Sequence, residues 1–202
     1  MQTITDLRAA DAAVTRDNAD AISWIADADL SRTTPCAGWD LRALLAHMTV
    51  QHRGFAAAAE GHGADPAVWL PALNEADPVK AHTEAATAVI AAFSADDVLD
   101  RDFVLPELGR TVPGRLAVSF HLVDYVVHGW DVARTLSLPY EPREDVLDLT
   151  LPIARAVPNG AERLRAGAAF APGLPVPSGA AALDEILLLL GRDPHWSPRG
   201  TA

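Results

Sequence analysis

The chain has 202 residues, half of them hydrophobic, with 16 Lys and Arg against 27 Asp and Glu and a formal charge of -11. This length carries a hydrophobic core of its own, and an acidic chain without a run of Lys or Arg is repelled by nucleic acid and by anionic membrane. Small molecules or proteins are left as partners. A single cysteine, Cys36, excludes an intrachain disulfide and every CxxC metal site, so His, Asp and Glu are the ligands at hand.

The stretch from Met1 to Leu30 carries Asp6, Asp11, Asp17 and Asp20 where a secretory signal would be basic and then apolar, so a cytoplasmic location is expected. Abundant alanine and scarce Tyr and Phe favour helix over sheet. Spaced apolar residues predict a first helix from about Leu7 to Leu30. A second starts at Asp40, whose carboxylate can cap it, and runs through Leu41, Leu44, Leu45, Met48 and Phe55 until Gly61 and Gly63 stop it. Gly61 to Pro78 reads as a loop, Val79 to Phe93 as a third helix and Val98 to Val112 as an extended segment or small hairpin. Thr111 is a candidate cap and Pro113 a first-turn residue for a fourth helix, whose apolar stripe is Leu116, Phe120, Val123, Val127 and Trp130. Helices over Glu144–Ala156 and Ala180–Leu190 follow, separated by a Pro/Gly-rich passage from Pro158 to Gly179. The aliphatic run Ile186–Leu190 is far short of the ~20 residues that cross a bilayer. The expected fold is all-α: an antiparallel four-helix bundle over residues 1–140 with a C-terminal helical extension over 141–202.

Chemistry concentrates on the fourth helix. At about 100° per residue, Asp124 and His128 lie about 40° apart and His121 about 20° from His128, all on one side of the helix, with Asp124 bordering the apolar stripe. A carboxylate near the interior needs a partner, and a histidine one turn along offers a lone pair for a shared cation. An Asp–His hydrogen bond explains the same spacing. A further ligand must come from a facing helix, where His47 lies near the edge of the apolar stripe and His52, about 140° around from it, follows Leu41, Leu45 and Met48. Periodicity leaves these two as alternatives. Trp39 and Trp130 read as core packing, Cys36 as a small semi-buried residue without an activating base, and His62, His82 and His195 carry no assigned role. No Gly-x-Ser-x-Gly elbow supports a serine hydrolase.

The run Thr34-Pro35-Cys36-Ala37-Gly38-Trp39-Asp40, continuing to His47, resembles the start of the second helix in the DinB/YfiT-like superfamily, specifically the mycothiol-dependent maleylpyruvate isomerase N-terminal domain group. Asp124-Tyr125-Val126-Val127-His128-Gly129-Trp130-Asp131 is similar to that group's later signature. Val176-Pro177, Leu183-Asp184 and Leu190-Gly191-Arg192-Asp193-Pro194 resemble the ending of a metal-binding subgroup of the superfamily.

The resemblance implies a DinB-like bundle with one divalent metal, zinc or nickel, held by His47, Asp124 and His128, and a coordination position left for the thiol of mycothiol. Two departures stand out. Asp124 occupies a position where the isomerase pattern has Glu, which brings His121 forward as a possible assistant. The family's larger C-terminal domain, which supplies an active-site Arg, is here a short extension, in which Arg192 is the candidate catalytic residue for clamping a substrate carboxylate. The expected function is a metal-dependent thiol-handling S-transferase or isomerase. A non-enzymatic metal or small-ligand binder is the alternative, and an interaction module with a decayed metal site is a third reading. Oligomeric state, a homodimer included, is left open.

Overall fold

The computed structural model describes residues 6–165 and 167–198. Asp6 accepts a hydrogen bond from the Arg8 amide and starts α1 (Leu7–Ile22). This helix is shorter than its apolar spacing predicts. The Asp29 carboxylate accepts from the Ala26 amide, and acidic side chains at a helix C-terminus oppose the helix dipole, so Asp27–Asp29 forms a separate 3-10 turn. Asp40 accepts from the Ala43 amide at 2.9 Å and opens α2 (Leu41–Ala59), and Gly61 leaves the helix in the left-handed region at φ 85°.

Between α2 and α3 (Pro78–Phe93) the loop contains a 3-10 turn, Pro66–Trp69. Its Trp69 ring lies on Gly54 of α2, where a Cβ would meet the indole at 2.3 Å, and donates from Nε1 to Gly63 O. The expected hairpin is present. β1 (Asp102–Leu105) pairs antiparallel with β2 (Arg110–Pro113), Phe103 opposite Val112, with their side chains buried. Thr111 is therefore a strand residue opposite Val104 rather than a helix cap, and Pro113 ends the strand just before α4 (Gly114–Leu136). Gly114 is required at this corner because a Cβ would lie 1.9 Å from Val98 O. Helices α5 (Glu144–Ala156) and α6 (Ala182–Leu189) complete the chain.

Helices α1 to α4 pack in the pairs α2–α3, α1–α4, α1–α3 and α2–α4, while α5 lies on α1, α4 and α6. The main core joins Leu41, Leu44, Leu45 and Met48 of α2 to Leu122, Val126 and Trp130 of α4 and to Ile186 and Leu187 of α6. Each such side chain contributes about 1.5–3 kcal/mol on burial, and together they fix the rotation of α2 against α4. A second cluster closes the hairpin end around Phe93, Phe103 and Val118. None of the described helices is long and apolar enough to cross a membrane.

Candidate metal centre

The rotation of α2 and α4 sets the site. With the Leu41, Leu44, Leu45 and Met48 face turned inwards, His47 lies at the edge of the interface, partly exposed, and α4 presents Asp124 and His128 to it from successive turns. His128 Nε2 lies 3.4 Å from Asp124 Oδ1, and His47 Nε2 lies 3.9 Å from Asp124 Oδ2. One ligand atom from each of the three residues falls within 4.8 Å of the other two. Nitrogen and carboxylate oxygen at these separations suit a borderline divalent cation whose bonds are about 2.0–2.2 Å long. The donor set therefore fits the ion that the resemblance implies.

His47 and Asp124 keep 28% and 20% of their side-chain surface, whereas His128 keeps 3%, so the cluster opens to solvent on the His47–Asp124 side. Burial, and then the neighbouring His128, push the His47 imidazole down to about 4, which leaves its lone pair free near neutrality. Burial acts on His128 in the same direction, but Asp124 and the hydrogen bond to Asp131 outweigh it and hold this imidazole well above its usual range. A cation held at Nε2 would compete with a proton for that nitrogen. Trp39 is not core: it stays exposed and tilts its ring against His47, centroids 4.9 Å apart. Trp130 is buried.

Behind His128 lies a second group, centred on Asp131, to which the sequence assigns no role; Arg192 and Cys36 join it here. Asp131 is fully buried, and its Oδ2 lies 2.9 Å from His128 Nδ1. Arg192, carried in from beyond α6, donates from Nε to Asp131 Oδ1 at 3.0 Å and from Nη2 to Asp131 Oδ2 at 3.1 Å. The Cys36 thiol donates to Asp131 Oδ2 at 3.0 Å and accepts from Arg192 Nη2 at 3.2 Å. Thr34 fixes Cys36 in turn, its hydroxyl accepting from the Cys36 amide. Burial opposes the Asp131 charge, yet His128 and Arg192 hold the carboxyl below its usual range. Cys36, His128 and Asp131 also lie at metal-ligand separations, but the Arg192 guanidinium already supplies the cation there. Asp131 was legible in one respect, standing three residues after His128 on the same helix.

The structure separates the remaining histidines from this centre. His121 Nδ1 is 2.6 Å from Asp11 Oδ1 and its Nε2 is 3.0 Å from His52 Nδ1, so both rings are engaged with each other and with α1. His82 is fully buried on α3 with its ring 5.1 Å from that of His52. It is His47, and neither His52 nor His121, that stands with Asp124 and His128.

Fold and site together define a mainly helical protein in which two helices bring a His–Asp–His cluster of metal-ligand type to the surface. Residues 11–133, more than half of the chain, match the mycothiol maleylpyruvate isomerase N-terminal domain family, and the chain belongs to that family. Among solved structures, it is similar to the mycothiol-dependent maleylpyruvate isomerase, with a TM-score of 0.52 and 16% identity over 72% of this chain. A mutant of the same isomerase gives a TM-score of 0.56 at 14% identity. Each likeness covers 66% of the isomerase chain, just under two thirds of its length. No curated protein matches the sequence.

Proposed function

We propose that the protein is a metal-dependent, thiol-handling enzyme of the isomerase or S-transferase type, built on a DinB-like antiparallel four-helix bundle and using mycothiol as co-substrate with a small electrophile. The observation that carries this reading is the convergence of His47, Asp124 and His128 within 4.8 Å, with two of the three side chains reaching solvent. Three protein ligands with an open side are the arrangement of a catalytic rather than a structural centre. A zinc or nickel ion held by His47, Asp124 and His128 would supply the Lewis acidity that lets a thiol ionise to a thiolate near neutral pH.

This chain's own residues orient the reaction. His47 and Asp124 line the open side, so the thiol and the electrophile approach across them, and the Trp39 ring forms a wall beside His47. His128, almost without solvent contact, closes the inner side. Thiolate addition to a double bond conjugated with a carbonyl, rotation about the resulting single bond and expulsion of the same thiolate change only geometry. Attack at a carbon that bears a leaving group gives a thioether instead. Family membership favours the first outcome.

The test is turnover of maleylpyruvate by zinc-loaded protein with and without mycothiol, beside a His47→Ala variant prepared in the same way. Thiol-dependent isomerisation lost together with bound zinc in the variant is expected. Wild-type protein that takes up neither zinc nor nickel, or turnover indifferent to both thiol and metal, would overturn the proposal.

A further inference from the structure

Arg192 reaches Asp131 through a turn that only glycine permits. Gly191 has φ 76°, a Cβ there would lie 2.6 Å from Ala171 O, and the Arg192 amide donates to Leu187 O at 2.8 Å, so the chain after α6 is folded back towards α4. The Arg192 side chain is 8% exposed, and its Nε and Nη2 both donate to Asp131, Nη2 being shared with Cys36 Sγ. A buried carboxylate is costly without such a partner. Asp131 in turn accepts from His128 Nδ1, which leaves Nε2 as the nitrogen facing Asp124 and His47.

Building on the metal reading above, we infer that Arg192 is a positioning residue: by holding Asp131 it fixes the ring orientation and tautomer of His128, so the C-terminal segment is a working part of the metal centre. A guanidinium engaged in this way does not clamp a substrate carboxylate. Cys36 belongs to the same unit, its thiol filling the space between Asp131 and Arg192.

Zinc affinity by chelator competition is the first readout, on wild type, Arg192→Met, Arg192→Lys, Asp131→Asn and the Arg192→Met/Asp131→Asn double variant. Each single variant is expected to weaken zinc binding about 10- to 100-fold, with Arg192→Lys the mildest. The double variant should lose no more than the worse single one, because both residues act through one hydrogen bond. It also removes both buried charges together, which keeps the measurement open if Arg192→Met alone fails to fold. Nitrogen-15 spectra of the His128 ring in zinc-loaded protein should show a hydrogen-bonded Nδ1–H in the wild type, altered in Asp131→Asn and in Arg192→Met. A merely structural role would leave that resonance and the folded variants' affinity in place. Wild type that binds zinc while Arg192→Met binds it equally well, with KM for the electrophile raised instead, overturns this inference and leaves the metal reading standing. Wild type that binds no zinc overturns both.

Discussion

His47 Nε2 and Asp124 Oδ2 face each other at 3.9 Å across the contact between α2 and α4, a separation longer than a hydrogen bond. A pair held at this spacing by packing, rather than by a tight hydrogen bond of its own, is what a bridging cation would draw together. Outer partners of metal ligands are worth about 10- to 100-fold in affinity, so a direct ligand is worth more. Asp124→Ala is therefore expected to lose over ~100-fold in zinc affinity. Asp124→Glu, which keeps a carboxylate at a partly exposed position, should stay within about tenfold of wild type. Chelator competition measures both.

Acid lability is expected from the interior. Among the described residues His82 has no hydrogen-bond partner for either ring nitrogen, and burial lowers it from 6.5 to about 4; His52 is displaced in the same direction by burial, His121 and His82. A histidine with a depressed folded-state value contributes stability that is complete above about pH 6.5 and is lost as pH falls towards the folded value. For His82 the loss approaches about 3 kcal/mol by pH 4. Urea unfolding at pH 7.5 and 4.5, with chelator present, should show the fall. His82→Leu should flatten it and raise stability at pH 7.5 by about 1–2 kcal/mol, since unpartnered buried nitrogens are removed.

Gly129 stands beside His128 on α4, and a Cβ there would lie 2.1 Å from Asn18 Oδ1 and 2.7 Å from the Tyr140 hydroxyl. The Asn18 amide cannot simply turn away, because its Nδ2 donates to Tyr125 O at 2.8 Å. Gly129→Ala should destabilise the fold by about 2–3 kcal/mol, read from denaturant midpoints, by forcing α1 off α4.

Trp39 separates wall from ligand. Its backbone, not its ring, makes the turn bonds with Thr34 and Cys36. Trp39→Ala should leave zinc content unchanged and stability within ~1 kcal/mol, while KM for the thiol rises several-fold. An unchanged KM would place the thiol elsewhere.

Part of this cluster's geometry is legible in the sequence. Helical spacing put Asp124 and His128 on one side of α4, and Asp40 marked the start of α2 through a cap that depends only on neighbouring residues. The choice between His47 and His52 was not legible from periodicity, since both border an apolar stripe. Family resemblance favoured His47, and packing of α2 places it beside Asp124 while sending His52 towards His121 and Tyr125. The end of α1 is not legible, because apolar spacing continues past Ile22 while Asp29 competes locally for the backbone.

The sequence by itself determined what local chemistry decides: where the main helices lie, which carboxylate caps α2, and which candidate ligand types recur one turn apart on α4. Tertiary structure alone decided which distant charges share the interior. Asp131, Cys36 and Arg192 come from a helix, a turn and the chain beyond α6, and they meet because a buried carboxylate must find its cation wherever the packed helices leave room for one.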